Sequence, residues 1–525
     1  MTKAAEMAKV SARGGFNLLW GIVLSTVISA AGTIAITYIL GAANYGLYSI
    51  ALIGPTLIAT FRDWGVNSAM VKYSAQYNAE NNSKIRSIFV SGLLFEIILG
   101  LLLSILSFVL SPLIASSFHR PALVSLIQIG SFILLTGGLV NAATAAFTGM
   151  ETMHLYSFML IIQSIVKTAL IVGLVLLGFG TLGAITGFTS ATIIAGLAGV
   201  LLMWTIYKSL AKSTDNKLEI MATIKTMLNY GLPVSIGSIL TGFLTVFYSY
   251  ILAIYVTNNA IIGNYNLSLN FVILITFFAT PVTTMLFPAF SKLDYKKDNE
   301  TLKNVFQYSV KYASLIVVPV SALVIALAKP GIGTIYQNRY SEAPLFLALL
   351  SVAYLYTAFG NLSVGNLLNG QGYTTYNMKL SILTVAIGFP VSFVLISHFG
   401  VIGLIATTLT VGLPSLYISL RFIKKQFGVS IDWVSSAKIL FSSLITAILT
   451  YALVSFLVFS NPIRLVIGVV AFVVIFLASI IVTRTIDKGD LASLREIINV
   501  LGPLRKPLRF LLNVIEKLMM ILYAK

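Results

Sequence analysis

The sequence predicts an all-α polytopic membrane protein. It would have fourteen transmembrane helices, in two parallel six-helix repeats that form two lobes, plus a C-terminal helix pair. Three observations predict this. Of the 525 residues, 58% are hydrophobic and only 10% charged, whereas a soluble domain has roughly a quarter charged. A helix needs about 20 mostly apolar residues to cross the hydrocarbon core, and such runs recur along the whole chain. Finally, one stretch appears twice. Tyr38, Gly46, Tyr48 and Leu52 of YILGAANYGLYSIAL recur at one constant separation as Tyr255, Gly263, Tyr265 and Leu269 of YVTNNAIIGNYNLSL. The same register carries Tyr73-Ser74 onto Phe290-Ser291, Ile85-Arg86 onto Leu302-Lys303, and Phe89 onto Phe306. It drifts by a few residues as it carries Pro112 and Phe118 onto Pro330 and Tyr336. Phe179-Gly180 and Gly183 then meet Phe399-Gly400 and Gly403. One ancestral unit used twice explains a register held over so long a span.

The elements follow in order. Apolar runs near 16–40, 44–70, 86–110, 122–148, 155–178 and 181–207 make an N-terminal lobe over 1–207. A polar stretch beginning KSLAKSTDNKLE makes a cytoplasmic linker over 208–225. Runs near 226–256, 261–290, 305–328, 344–368, 374–397 and 401–423 make a C-terminal lobe over 226–425. Two further runs, near 437–460 and 462–484, fill 426–486. The tail, 487–525, is basic and amphipathic. Leu491, Leu494, Ile497, Ile498 and Leu501 share one helical face, and Gly502-Pro503 and Pro507 break it in two. Such a tail suits the acidic inner leaflet or a partner helix. Gly54-Pro55, Gly231-x-Pro233, Pro281, Pro288, Pro319, Pro390 and Gly412-x-Pro414 mark bends, with Pro55, Pro233 and Pro281 as candidate hinges.

Lys and Arg concentrate in cytoplasmic loops. With an even number of spans, the great majority of the 34 basic residues fall on the side of the two termini. Only Arg120, Lys329, Arg339 and Arg464 fall on the other, and Arg62 and Lys167 lie within spans. The expected protein is therefore multi-pass in the plasma membrane with both termini cytoplasmic. The net charge of +18 reads as this topology signal rather than as a nucleic-acid stripe. Both six-helix halves start inside, so the repeats are related by an axis along the membrane normal, with the substrate path between the lobes. The chain has no cysteine, which excludes disulfides, thiolate metal sites and a Cys nucleophile. No metal site and no catalytic residue is expected.

Charged groups inside spans are costly, about 2.5–3.5 kcal/mol at mid-bilayer on insertion scales, and usually line a cavity. Lys167 and Glu96 sit at similar depths, roughly 16 Å from the cytoplasmic ends of spans five and three. Arg62 and Asp63 sit roughly 12 Å deep in span two, next to Gly65, which can break the helix and admit water. Lys167 and Glu96 are expected to pair, either as a static interhelical salt bridge or as part of a coupling or head-group site. Adjacent helix residues diverge by about 100°, so Arg62 and Asp63 would serve different partners. In the second repeat these positions hold Ala279, Thr280 and Ala313, with a residue near Ile387 for Lys167. Coupling is therefore expected in the first lobe alone. Gln128, Asn141, Gln163, Asn270, Asn361 and Asn366 are either path-lining residues or interhelical hydrogen bonds.

Leu40-Gly41, Tyr45-Gly46 and Tyr48 resemble the L-G-x-x-x-Y-G-x-Y stretch of polysaccharide-exporting flippases. These belong to the multidrug/oligosaccharidyl-lipid/polysaccharide superfamily, O-antigen and teichoic-acid exporter type. Asp63-x-Gly65 followed by Lys72, Ile335-Tyr336 with Tyr340 and Ala343, and Asn369-Gly370 with Gly400 and Gly403 resemble later motifs of that family. The likeness covers about 14–425, but Tyr38 stands where the family often has Arg. The superfamily's lipid II flippases carry several arginines in helices one, two and eight, whereas this chain has only Arg62 inside those spans, which ranks that branch lower. The resemblance implies a flippase, not an enzyme. It would move an isoprenoid-linked diphosphate oligosaccharide to the outer leaflet by alternating access. Arg62 and Lys167 would bind substrate, and Asp63 and Glu96 would bind the coupling ion. No cofactor is implied beyond a proton or sodium gradient, and partners would be membrane lipids and glycan-assembly membrane enzymes. A multidrug or organic-cation antiporter of the same fold is the alternative. A membrane glycosyltransferase or polymerase needs acidic groups or a domain outside, where only Glu342 is expected. No G-x-x-x-x-G-K loop for ATP occurs.

Overall fold

The computed structural model describes residues 3–79, 84–210, 219–486 and 489–491, with 495, 513 and 516. Among these the chain is helical, with no strand. The first half contains α1 (Lys3–Ala59), α2 (Val66–Ala79), α3 (Ile85–Ser117), α4 (Val124–Gly149), α5 (Met153–Leu174) and α6 (Gly180–Ser209). Then follow α7 (Ile220–Tyr255), α8 (Asn259–Phe271), α9 (Ile273–Ser291), α10 (Asn299–Tyr336), α11 (Ala343–Leu355) and α12 (Asn361–Gly370). The last are α13 (Thr374–Thr410), α14 (Leu413–Phe427), α15 (Trp433–Phe456) and α16 (Asn461–Val482).

Among the described residues, ten helical stretches are long and apolar enough to cross a membrane. They become eleven when Ala343–Phe359 and Asn361–Gly370, bent by 51°, count as one span. The protein is a multi-pass membrane protein. Three of the ten stretches are interrupted. The stretch Met153–Ser209 has 57 residues, which as a straight helix would run about 85 Å against a core of about 30 Å. It turns at Gly178 (φ 91°) and Gly180 (φ 53°), in left-handed backbone that costs glycine little. Gly41 (φ 70°, ψ 172°) breaks α1 in the same way, and Gly400 breaks α13. These breaks fall where the apolar runs were expected to end.

Two expected spans are corrected. The run 44–70 is not one helix: α1 ends at Ala59, the chain turns through 60–65, and α2 restarts at Val66. Arg62, Asp63 and Gly65 occupy that turn, where polar side chains and a positive φ of 82° at Gly65 replace helix hydrogen bonds. The run 344–368 bends at Gly360, which is left-handed. The amphipathic tail lies almost wholly outside the described residues. Within it, Leu491 packs with Ile480, Ile481 and Ile486, and Arg495 pairs with Glu516.

The chain folds as two compact units: Met1–Asn270 with Ser381–Thr407, and Phe271–Leu380 with Thr408–Lys525. In the first, α3 packs on α4, and α5 packs on α1 and α6. Met70, Phe89, Phe147, Met159 and Met203 form a shared core. Gly46 meets Gly263 here: a Cβ on Gly46 would overlap the Asn259 carbonyl oxygen, and one on Gly263 would overlap that of Ala42. In the second unit the 38-residue α10 is central, packed against α9, α11, α15 and α16. Phe290, Leu302, Phe306 and Phe427 make the core there. Positions matched by the sequence register play matched parts. Phe89 and Phe306 are fully buried, as are Phe118 and Tyr336. Gly149 packs on Ser74 in one unit, and Gly370 packs on Phe290 and Ser291 in the other.

Candidate functional site

The turn between α1 and α2 builds the first polar cluster, wholly within the first unit. Asp63 Oδ1 accepts hydrogen bonds from the N–H groups of Gly65 (2.9 Å) and Asn67 (3.4 Å), closing the turn ahead of α2. Gly65 has no room for a side chain, because a Cβ would collide with the backbone of Gly231 on α7. This geometry sends Arg62 and Asn67 toward α3 and α4.

Glu96 of α3 is the meeting point and is fully buried. Arg62 Nε lies 3.4 Å from Glu96 Oε2, and Asn67 Nδ2 donates to Glu96 Oε1 at 2.6 Å. Arg62 Nη1 also donates to the Leu134 carbonyl of α4 at 3.1 Å. Two consecutive glycines of α4 make the room. A Cβ on Gly137 would stand 2.8 Å from Arg62 Nη1, and one on Gly138 would stand 2.7 Å from Glu96 Oε2. The ion pair offsets part of the cost of burying either charge. It does not satisfy every atom: Arg62 Nε, Glu96 Oε2 and Asn67 Oδ1 are buried and make no hydrogen bond. Incompletely satisfied buried polar atoms are rare and often mark working sites.

Beside this cluster is an open cleft of about 260 Å³. Asp63, Asn67, Asn141, Thr144, Thr148 and Tyr156 line it. Asn67 thus joins the two carboxylates, bonding Asp63 through its backbone and Glu96 through its side chain.

Lys167 is elsewhere. The expected pair with Glu96 does not form, and Arg62 takes the carboxylate. The reason is azimuth: α3, carrying Glu96, packs mainly on α4, whereas α5, carrying Lys167, packs on α1 and α6. Lys167 Nζ stands 5.1 Å from the centre of the Phe188 ring, a cation–π contact. It lines a partly open cavity of about 200 Å³ together with Tyr45, Tyr48 and Asn270.

Arg62, Glu96 and Asp63 are therefore one connected group, with Lys167 separate. Of the polar span residues, Asn141 lines the cleft and Asn270 the cavity, while Asn366 bonds the Leu362 carbonyl of its own helix. Sequence reasoning missed Asn67 and the Gly137-Gly138 slot. Their signals were present: a polar residue one turn after Asp63, and a double glycine in mid-span. No group of three or more His, Cys, Asp or Glu able to hold a metal occurs among the described residues.

Residues 35–345 match the family described as polysaccharide biosynthesis protein. An uncharacterized membrane protein of Methanocaldococcus jannaschii, MJ1068, is 21% identical over 384 residues, spanning 70% of this chain and 74% of that protein. Among solved structures, the lipid II flippase MurJ in an inward closed conformation superposes with a TM-score of 0.69 at 14% identity. The match covers 88% of this chain and 97% of that one. An inward-facing multidrug resistance MATE family transporter of the MOP superfamily gives 0.59 at 16% identity, over 77% and 94%. A MOP superfamily transporter from Pyrococcus furiosus, described as having a binding pocket of reversed polarity, gives 0.53 at 17% identity, over 79% and 96%. The fold is the one these membrane transporters share.

Proposed function

Because the chain belongs to the polysaccharide biosynthesis protein family, we propose that this membrane transporter is a flippase for isoprenoid-linked diphosphate oligosaccharides. It carries them from the cytoplasmic to the outer leaflet of the plasma membrane by alternating access. In this reading each of the three interrupted stretches resolves into two crossings and the bent pair counts as one. Fourteen spans result, as two six-helix lobes (1–207 and 226–425) and a terminal pair, with both termini cytoplasmic. Arg62 and Lys167 meet the diphosphate. Asp63 and Glu96, joined by Asn67, bind the proton or sodium ion whose gradient drives the cycle. Glycan-assembly membrane enzymes supply the substrate.

The observation that carries the reading is the sign of the buried charge. Among the described residues of the first unit, Glu96 is the one fully buried acid, and Arg62 already holds it. The cavity beside Lys167 has no acid in its lining. A positively biased interior attracts a diphosphate and repels an organic cation.

Purified protein in proteoliposomes, given a lipid-linked oligosaccharide, tests the reading through enzymatic accessibility of the sugars. Accessibility should rise above that of empty liposomes and should respond to a proton or sodium gradient. A second reading, organic-cation antiport, draws on Asp63 and Tyr156 in the open cleft. No sugar translocation, together with cation efflux abolished by Asp63→Asn, would replace the first reading with the second.

A further inference from the structure

The cavity beside Lys167 gathers one amine and several hydroxyl and amide groups. Its wall comes from α1, α5 and α8 of the first unit. Lys167 enters from α5, and among the described residues no carboxylate forms an ion pair with it. The Tyr45 hydroxyl accepts a hydrogen bond from Asn270 Nδ2 at 2.7 Å, which leaves its own hydrogen to donate. The Tyr45 and Tyr48 rings stack at 5.9 Å, bringing a second phenol to the same wall. Ser29 and Thr33 add hydroxyls.

A lysine in a low-dielectric interior is stable as a cation only when something of opposite charge reaches it. Convergent N–H and O–H donors around one cation suit a tetrahedral oxyanion, since charge-assisted hydrogen bonds are the strong ones. A cavity needs about 10–15 Å³ to hold a water, so one of about 200 Å³ has room for a phosphate group.

We propose that this cavity is a phosphate-binding subsite, with Lys167 supplying the charge and Tyr48, Tyr45 and Asn270 the surrounding donors. The inference rests on the flippase reading and sharpens it. Of the two cations assigned to the substrate, Arg62 is committed to Glu96, and Lys167 is the one whose charge is open. Asn270 lies in the last turn of α8, and its bond to Tyr45 ties that turn to α1.

The test is calorimetric binding to the full-length protein in nanodiscs. The probes are inorganic phosphate, a short-chain isoprenyl diphosphate, and the corresponding isoprenol as uncharged control. The wild type should bind at least one phosphate species saturably and isoprenol not at all. Lys167→Met should weaken that binding at least about tenfold, Tyr48→Phe by about threefold to tenfold, and Lys167→Arg should retain most of it. Preference for the isoprenyl diphosphate identifies a lipid head group as the ligand, and equal affinity identifies the phosphate anion itself. If Lys167→Met fails to fold, as judged by its thermal transition, Tyr48→Phe and Lys167→Arg carry the comparison. Absence of saturable binding by folded wild type, or binding unchanged in folded Lys167→Met, would overturn the subsite. Translocation is scored on the same preparations. Translocation without Lys167-dependent binding removes the subsite and leaves the flippase, whereas Lys167-dependent binding without translocation does the reverse.

Discussion

Where the first unit has Glu96, the repeat register gives the second unit Ala313, and both positions are fully buried. Where the first has Arg62 and Asp63, the second has Ala279, which is buried, and Thr280, whose hydroxyl bonds the Thr276 carbonyl of its own helix. The glycine slot has gone too: the residues matching Gly137-Gly138 fall within 354–358, Tyr-Leu-Tyr-Thr-Ala. Yet the framework positions agree, Phe89 with Phe306 and Ile85 with Leu302. The second unit keeps an ion pair of another kind. Lys311 reaches Asp490 at 2.6 Å, with Tyr312 donating to the same carboxylate at 3.3 Å. That pair fastens α10 to the segment after α16. One unit places an ion pair among its spans. The other uses charge to hold its own parts together.

The largest expected effect breaks the polar cluster. Glu96→Ala leaves the Arg62 guanidinium buried without its counter-charge and should destabilise the protein by about 3–5 kcal/mol. Chemical denaturation in detergent would measure it. Arg62→Ala combined with Glu96→Ala should recover much of that loss. Lys311→Met comes next, at about 3 kcal/mol, because Asp490 is left buried. Here translocation per folded molecule should not change, and a drop would mean that the two units do not divide the work as described.

A matched pair of glycine substitutions sharpens the comparison from the scaffold side. Gly46→Ala and Gly263→Ala each drive a methyl into a carbonyl oxygen of the other's helix. Each should cost about 1–3 kcal/mol, as overpacking does, and the two thermal shifts should be alike. Markedly unequal shifts would argue against reciprocal packing.

The smallest effect concerns the N-terminus of α15 in the second unit. Asp432 accepts from the N–H groups of Val434 and Ser435. Burial pushes its carboxyl up, but the Ser435 and Val434 hydrogen bonds and nearby Lys311 outweigh this and hold it below the usual value. Asp432→Ala should cost about 1 kcal/mol, as lost caps do. A depressed folded-state pKa stabilises fully above the ordinary aspartate value of about 3.9. That stabilisation is lost as pH falls through the depressed value, so wild type and variant should converge in acid.

Much of this was legible in the sequence. Hydropathy announced the membrane, since few other environments tolerate so little charge. The breaks at Gly41, Gly178–Gly180 and Gly400 fall where apolar runs exceed what a bilayer holds. Arg62 and Glu96 stood out as charges within apolar runs. Their pairing did not. Residue number along a span gives height but not which neighbour a helix face meets, so Lys167 was matched in depth to a carboxylate that it does not reach. Gly137-Gly138 went unnoticed because a slot has meaning only once its occupants are known. Tyr45 and Tyr48 stood out in the repeated stretch, but only tertiary structure brought Asn270 and Lys167 to the same wall.

The most direct test of the division between the units is the initial rate of lipid-linked oligosaccharide translocation in proteoliposomes, per folded molecule, for Glu96→Gln beside Lys311→Met. Glu96→Gln keeps the shape and an acceptor for Asn67 but removes the charge that holds Arg62. The account predicts a fall of at least about tenfold, the scale of a lost charge-assisted contact, with Lys311→Met at the wild-type rate. Equal rates for both variants, or loss confined to Lys311→Met, would contradict it.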